Sequence, residues 1–480
     1  MNMSKGCFAA IVVICLIFFA LVSVPIGNAD WTMDRSGPSR IGVATGSQVL
    51  TPNVLWKTNV SLPSVKVDKQ SFEGGRTFTT PVVLHGIIYA CSTSSVGISE
   101  YNNPSWLDVY AFNATDGTEI WDHKINNMTD ISVPAVTDNV VYFRADNGYN
   151  VGYVYALNVK NGNLQWRTNV NGIGLSSPAI NDGILYVGGG NDFFYALNAA
   201  NGETIWKHTT DANIAWGSPA VVNGVVYVGA DDGNLYAFNA KNGDLLWKYN
   251  VGVDRWPSVA VDNGVAYTSS NAGTVCAVNE TNGNLIWEYD TTPPEYISQE
   301  QNGVQGLPFP VACDNGVVYV TCEFIIPTLD RGWPLVYALN ATTGSKIWNL
   351  TINISSNDMS APVIADGVLY MNTFYGIIAL NTQNATAEWN YNATINYPWS
   401  SDLIVDNGAI FVGSSDGQVY ALGSAPPTYP PYSPTLPPFQ AASTAITIAL
   451  SIFVICTITV IILARLRKSK PKVNLLVANP

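Results

Sequence analysis

What most limits the shapes open to this chain is a phrase that it keeps repeating. Ala237 to Trp247 reads Ala-Phe-Asn-Ala-Lys-Asn-Gly-Asp-Leu-Leu-Trp, and segments of the same length begin at Ala111, Ala156, Ala196, Ala277, Ala338 and Ala379, every one with Asn in third place and Trp in last. A unit of this kind cannot bury its apolar face alone, so neighbouring copies must stack and share a core.

Each phrase lies within a longer unit, clearest over Ser218 to Asn250. Pro219-Ala-Val-Val is followed by Asn223-Gly224, Val225-Val-Tyr-Val-Gly by Asp232-Gly233, and Leu235-Tyr-Ala-Phe-Asn by Asn242-Gly243, before Leu245-Leu-Trp-Lys-Tyr closes the unit. Short β-branched and aromatic runs punctuated in this way read as antiparallel strands joined by two-residue hairpins, because both central positions of such a turn need positive φ. Four strands, A to D in chain order, over a period of about 40 residues are the signature of a propeller blade.

Two independent landmarks count the blades. Strand B carries Tyr89, Tyr142, Tyr186, Tyr227, Tyr267, Tyr319, Tyr370 and Phe411, and strand D carries Trp56, Trp121, Trp166, Trp206, Trp247, Trp287, Trp348 and Trp389, eight in each series. The series are offset, because Trp56 precedes the first A strand and the last C strand, Val419-Tyr-Ala-Leu, has no D strand after it. The ends must therefore complete one another. Asn53 to Val60 is expected to form the outer strand of the eighth blade beside Gln418 to Leu422, leaving no open edge. The expected fold over residues 30–423 is all-β, an eight-bladed propeller of four-stranded antiparallel blades.

The pattern Ala-x-Asn-x-x-(Asn/Asp/Thr)-Gly-x-x-x-Trp resembles the tryptophan-docking motif of the pyrroloquinoline-quinone-like, or quinoprotein-type, β-propellers, over roughly residues 31 to 423. That family holds quinoprotein alcohol dehydrogenases and a cofactor-free branch, which includes the lipoprotein propeller of bacterial outer-membrane barrel assembly; this chain is similar to the latter in blade number. The resemblance implies that each Trp packs against the next blade. Blade 7 departs from the pattern, with Ala385 for the turn Gly and Ile378 for the strand C Tyr, which implies some loss of local stability. The dehydrogenases lay the quinone over the central channel beside a calcium ion held by Glu and Asn, with an Asp base and commonly a disulfide between adjacent cysteines. Here no Cys-Cys pair occurs, and His85, His123 and His208 stand singly. Docking tryptophans serve packing and say nothing about chemistry. No catalytic, cofactor-binding or metal residue is assigned and no cofactor is expected; a dehydrogenase using pyrroloquinoline quinone with calcium is the alternative.

The flanks point to export. Residues 1–29 hold one Lys, an apolar run from Phe8 to Val24 and small residues at Gly27 and Ala29, and read as a signal peptide, with an uncleaved anchor as the alternative. No Cys directly follows the run, so a lipoprotein anchor is not implied. Residues 424–440 carry seven Pro and read as a stiff spacer, reaching about 50 Å if fully extended as polyproline II. Residues 441–464 are free of charge and long enough to span a bilayer, and Arg465, Arg467, Lys468, Lys470 and Lys472 follow. The positive-inside tendency then puts the 465–480 tail in the cytoplasm and the propeller outside, in a single-pass membrane protein.

A formal charge of −13 excludes a phosphate-neutralising surface and hence nucleic acid as a partner. Asn-x-Ser/Thr acceptors at Asn59, Asn113, Asn127, Asn279, Asn340, Asn349, Asn353, Asn384 and Asn392 are candidate glycosylation sites, several on exposed C–D turns. Of the cysteines, Cys91, Cys276, Cys313 and Cys322 fall on strands; buried free thiols are expected ahead of a bridge, and no metal-ligand spacing is present.

The connections are unequal. A–B turns are uniformly tight, at Asp182-Gly183, Asn223-Gly224, Asn263-Gly264, Asn315-Gly316 and Asn407-Gly408, and C–D turns are uniform too. Insertions fall between B and C (91–107, 144–152, 323–334) or between D and A (62–80, 291–309), connections that share one face of a propeller. Function carried on loops over a rigid scaffold is expected there. The same face gathers Arg76, Trp216, Arg255, Trp256, Tyr397, Trp399 and Asp402 near the starts of A strands, residue types that anchor interfaces or stack on sugars, although for any single one plugging the channel mouth or packing between blades is the favoured reading. The expected role is a cell-surface scaffold that binds an envelope or secreted protein or glycan.

Overall fold

The computed structural model describes residues 35–429 apart from positions 38, 41, 45–46, 59, 61–63, 68–69, 74, 96–105, 191, 215–216, 253–257, 271–272, 293–304, 327–330, 333, 353–358, 374–375 and 393–398. The expected signal peptide, the membrane segment, the tail, most of the spacer, Asn59 and Asn353 lie outside these residues. Among the described residues no helix is long and apolar enough to cross a membrane.

Blade 4 shows what the repeated unit builds. Ala220–Val222, Val225–Gly229, Asn234–Asn239 and Leu245–Asn250 pair in chain order as one antiparallel sheet. Strand C is buried through its middle, while strand D alternates between exposed and covered residues, so A lies innermost and D forms the rim. Eight sheets of this kind make the ring, and the A strands of successive blades touch around its centre. The last sheet runs Trp399–Asp406, Ala409–Ser414, Val419–Gly423 and then Asn53–Lys57, so the chain's two ends share a blade as the offset landmarks require.

Two expectations need correction. In every blade but the second the A–B connection is a two-residue hairpin with both central residues at positive φ, as in Asn223 (52°) and Gly224 (76°). The C–D connection is longer. In blade 4, the Gly243 N–H donates to the Asn239 carbonyl at 2.9 Å, the Asn239 N–H to the Asp244 carbonyl at 2.8 Å, and the Lys241 N–H to the Asn239 side-chain oxygen at 2.9 Å. The third-place Asn of the phrase is thus an Asx-turn acceptor, a role that a carboxylate fills equally well. Second, the insertions are in good part strand. The first A strand is split into Gly75–Phe78 and Val82–Leu84, strand B of blade 6 runs the full length of Val317–Ile326, and Ser64–Val67 pairs with Gln70–Glu73 as an added hairpin.

The tryptophans hold the seams between blades. Each lies tilted against the strand B aromatic of its own blade, with ring centroids 5.7 to 6.0 Å apart in all eight pairs, Trp56 with Phe411 included. Seven of the eight indole N–H groups then donate to a carbonyl of the next blade's C–D turn, as from Trp206 to Ala240 at 3.0 Å and from Trp56 to Ala114 at 3.1 Å, and the eighth, of Trp389, donates to the Val49 carbonyl at 2.7 Å. In the seams after blades 2 to 6 the strand B Tyr hydroxyl donates to the same oxygen at 3.0 to 3.4 Å, using both of its lone pairs. The turn Gly sits against the indole: a Cβ on Gly243, at φ +75°, would lie 2.7 Å from the Trp206 ring. Ala385 meets that position in blade 7 with φ 59° and does carry a Cβ. The four strand cysteines are buried and free, and burial pushes the Cys276 thiol up to about 12.

Candidate binding face and axial mouth

Strand A begins on the face that bears the insertions and ends at the tight A–B turns of the other. Strand Trp399–Asp406 of blade 8 packs beside Gly75–Phe78 of blade 1, so Arg76, Trp399 and Asp402 do come from neighbouring strands. Arg76, however, is 4% exposed: its guanidinium meets the Asp108 carboxylate at 2.9 Å, donates to the Tyr110 hydroxyl and lies 5.3 Å from the Tyr110 ring centroid. It is a buried brace rather than a docking residue. Asp402 is part-buried and accepts the Ala361 N–H of blade 7 at 3.3 Å, again a seam contact. Trp216, Arg255, Trp256 and Tyr397 lie outside the described residues, as does the side chain of Trp399, so no cluster of all seven is formed among the described residues.

Sequence reading missed a second buried arginine on this face. Arg144 is fully buried, donates to the Gly172 carbonyl at 3.0 Å and lies 3.8 Å from Asp146, which accepts N–H groups of Gly148 and Gly174 at 2.9 and 2.8 Å. Burial pulls the Arg144 guanidinium down to about 10 and pushes the Asp146 carboxyl up. The pair ties the B–C loop of blade 2 to the D–A loop that follows it.

It also missed how the lead-in is used. The described residues between Arg35 and Val49 cross the inner ends of the blades. Arg40, 0% exposed, donates to the carbonyls of Pro219, Ser177 (2.9 Å) and Pro178 (3.3 Å), and Arg35 donates to those of Val311 (2.6 Å) and Pro362 (3.3 Å). The Val261 N–H donates to Ser39 at 2.9 Å, and Gly42 and Ala44 pair with Ile364. Blades 3 to 7 are thereby touched at their innermost strands, which places this segment in the channel mouth on the elaborated side. Arg35, Ser36 and Arg40 take φ of 58°, 85° and 55°, a region costly for side-chain-bearing residues, so tertiary contacts hold them there. At Gly42 any Cβ would strike the Arg35 guanidinium at 2.5 Å.

The opposite face is not featureless. A cleft of about 590 Å³ opens between blades 2 and 3, where Asn139, Gln165, Asn181 and Asp182 surround Tyr142 and Ile180. Among the described residues no group of three or more His, Cys, Asp or Glu could hold a metal ion.

Comparison with known proteins gives this geometry a context. A family model described as outer membrane protein assembly factor BamB matches residues 107–170, 150–323 and 298–425. The BamB of Yersinia pestis is 27% identical over 187 residues, 38% of this chain and 41% of that protein. Tetrathionate hydrolase of Acidithiobacillus ferrooxidans is 27% identical over 149 residues, 26% of this chain and 28% of that one. The chain thus spans less than half the length of these relatives. Among solved structures, quinohemoprotein alcohol dehydrogenase from Comamonas testosteroni superposes with a TM-score of 0.63 at 14% identity, covering 87% of this chain and 84% of that one, and BamB from Moraxella catarrhalis with 0.53 at 18% identity, covering 76% and 97%. At such identities these two likenesses are of fold alone.

Proposed function

The chain belongs to the repeat-propeller family described as outer membrane protein assembly factor BamB, and from that premise we propose that it is a membrane-tethered, extracytoplasmic scaffold that captures an envelope or secreted protein, or a glycan, on its D–A and B–C face. The observation that carries this reading is the inequality of the two faces. The seams and A–B turns repeat around most of the ring, while added strand and loop are spent on one side. A rigid ring that presents variable connections is a binding architecture. The family name speaks for a protein partner ahead of a glycan. Residues 441–464 and the basic tail supply the tether, and the exposed Asn127, Asn349 and Asn392 are the acceptors most open to glycosylation; at Asn113, Asn279, Asn340 and Asn384 the side-chain oxygen already serves a turn.

The experiment is partner capture by the full chain in detergent, normalised to thermal stability. Trp256→Ala with Arg255→Ala should weaken capture, whereas Asn223→Ala with Asn263→Ala on the plain face should leave it nearly intact. Equal loss from both faces, or loss only from the plain face, sinks the reading.

A quinoprotein-type dehydrogenase is the second reading, favoured by the breadth of the fold likeness. Against it stands the filled mouth: a quinone laid over the channel would meet the lead-in and its two arginines, and the described residues offer no carboxylate set for its calcium. Quinone absorbance retained after incubation with pyrroloquinoline quinone and calcium, together with dye-linked alcohol oxidation, would reverse the choice.

A further inference from the structure

The carbonyls that receive the two lead-in arginines are not a random set. In each blade the residue opposite the strand B aromatic is fixed by register: Ala179 pairs with Tyr186, Ala220 with Tyr227, Ala312 with Tyr319 and Val363 with Tyr370. The residues just before these are Pro178, Pro219, Val311 and Pro362, and each of them supplies an oxygen to a guanidinium. Arg40 bridges blades 3 and 4; Arg35 bridges blades 6 and 7. The ring therefore presents a collar of like-placed carbonyls at the channel mouth, and a planar fork is the cation that reaches two neighbouring blades at once.

The collar around Arg40 is also built without help from the lead-in. Ser176 donates to the Gly217 carbonyl at 2.8 Å and accepts the Gly188 N–H at 2.9 Å, and the Ser177 N–H donates to the Ser218 hydroxyl at 3.2 Å. Pro178 and Pro219 have no N–H to offer, so this stretch shows the axis acceptors. We propose that the axial mouth is a guanidinium-binding site of the ring, with the seats between blades 3 and 4 and between blades 6 and 7 filled in cis by Arg40 and Arg35. Its ligand class is an arginine side chain or other alkylguanidinium.

Chemical rescue tests this in the full chain. Arg40→Ala should lower Tm by several degrees and expose residues 35–49 to limited proteolysis. Millimolar methylguanidinium should then raise Tm saturably and restore protection, because a ligand that binds only the folded state stabilises it in proportion to its occupancy. Methylammonium or sodium chloride at equal concentration should do neither, and the unsubstituted protein should show no gain. The site does not exist as described if rescue fails, or if methylammonium rescues equally well. Should Arg40→Ala fail to fold, Arg40→Lys decides: a point ammonium should leave Tm lowered and the lead-in cleavable, and a lysine variant indistinguishable from the parent overturns the proposal.

Discussion

The seam between blades 3 and 4 and the seam between blades 7 and 8 do the same job with different means. In the first, Trp206 and Tyr186 both donate to the carbonyl of Ala240, which lies 34 residues beyond Trp206 on the next copy of the repeat. In the second, blade 8 has no C–D turn, because its C and D strands come from opposite ends of the chain. Trp389 donates instead to Val49 at 2.7 Å, 340 residues away in sequence, and the Tyr370 hydroxyl accepts the Val49 N–H at 2.8 Å. Thr51 and Ser424 meet at 2.9 Å where the turn would have been. A local seam forms with its own hairpin, whereas the closing seam must wait for two distant segments and bear their loop-closure cost. One repeated chemistry is thus held at one point by the lead-in, which the arginines anchor in the axis.

The largest test removes that anchor. Deleting residues 30–60 takes away the eighth D strand with Trp56, the axial arginines and the acceptor of Trp389. The expected loss is comparable with the whole stability of a domain, about 5–15 kcal/mol, and no cooperative melting transition should remain by calorimetry. An unchanged transition would mean that the ring does not depend on closure.

Single indoles compare the seams directly. Trp206→Ala should cost about 3–5 kcal/mol, as for other large buried aromatics. Trp389 is less deeply buried, so Trp389→Ala should cost less, about 2 kcal/mol, in line with the burial of a large apolar side chain. Urea midpoints measure both. If Trp389→Ala proves the costlier change, the closing seam is the clasp of the ring rather than its weaker joint. Labelling of the buried thiols Cys276, Cys313 and Cys322 should stay as slow in Trp389→Ala as in the parent if seams open independently.

The smallest effects concern the turn beneath each indole. Gly243→Ala forces a Cβ into the Trp206 ring at a left-handed φ and should cost about 1–3 kcal/mol. Ala385→Gly is the reverse change in blade 7 and should gain up to about 1 kcal/mol, the relieved left-handed strain less the extra unfolded-state entropy of Gly. A loss on Ala385→Gly would show that the Ala385 methyl packs usefully against Trp348.

Most of the fold was legible because its signals are local. Asn-Gly at a two-residue turn, Gly under an indole and alternating aromatics each act within one hairpin, and their recurrence counted the blades before any contact was known. The offset of Trp56 from the first A strand even gave the closure. The C–D turn was misjudged because Asn-Gly also occurs in the longer Asx-turn, where the upstream Asn239 side chain, rather than the dipeptide, sets the geometry. Arg76 stood among the binding candidates, with packing the favoured reading for any one of them, because residue type does not reveal burial; its partner Asp108 is on another strand, 32 residues away.

By itself, then, the sequence determined the all-β class, the number of blades, the docking tryptophans and the face that carries the insertions. Only the tertiary structure decided that the lead-in runs through the channel mouth, that Arg35 and Arg40 fill its carbonyl collar, and that Val49 stands in for a missing turn. The physical reason is the nature of the acceptors. Each of these contacts ends on a backbone carbonyl, and every residue has one, so no pattern of side chains can announce which of them an arginine or a tryptophan will find.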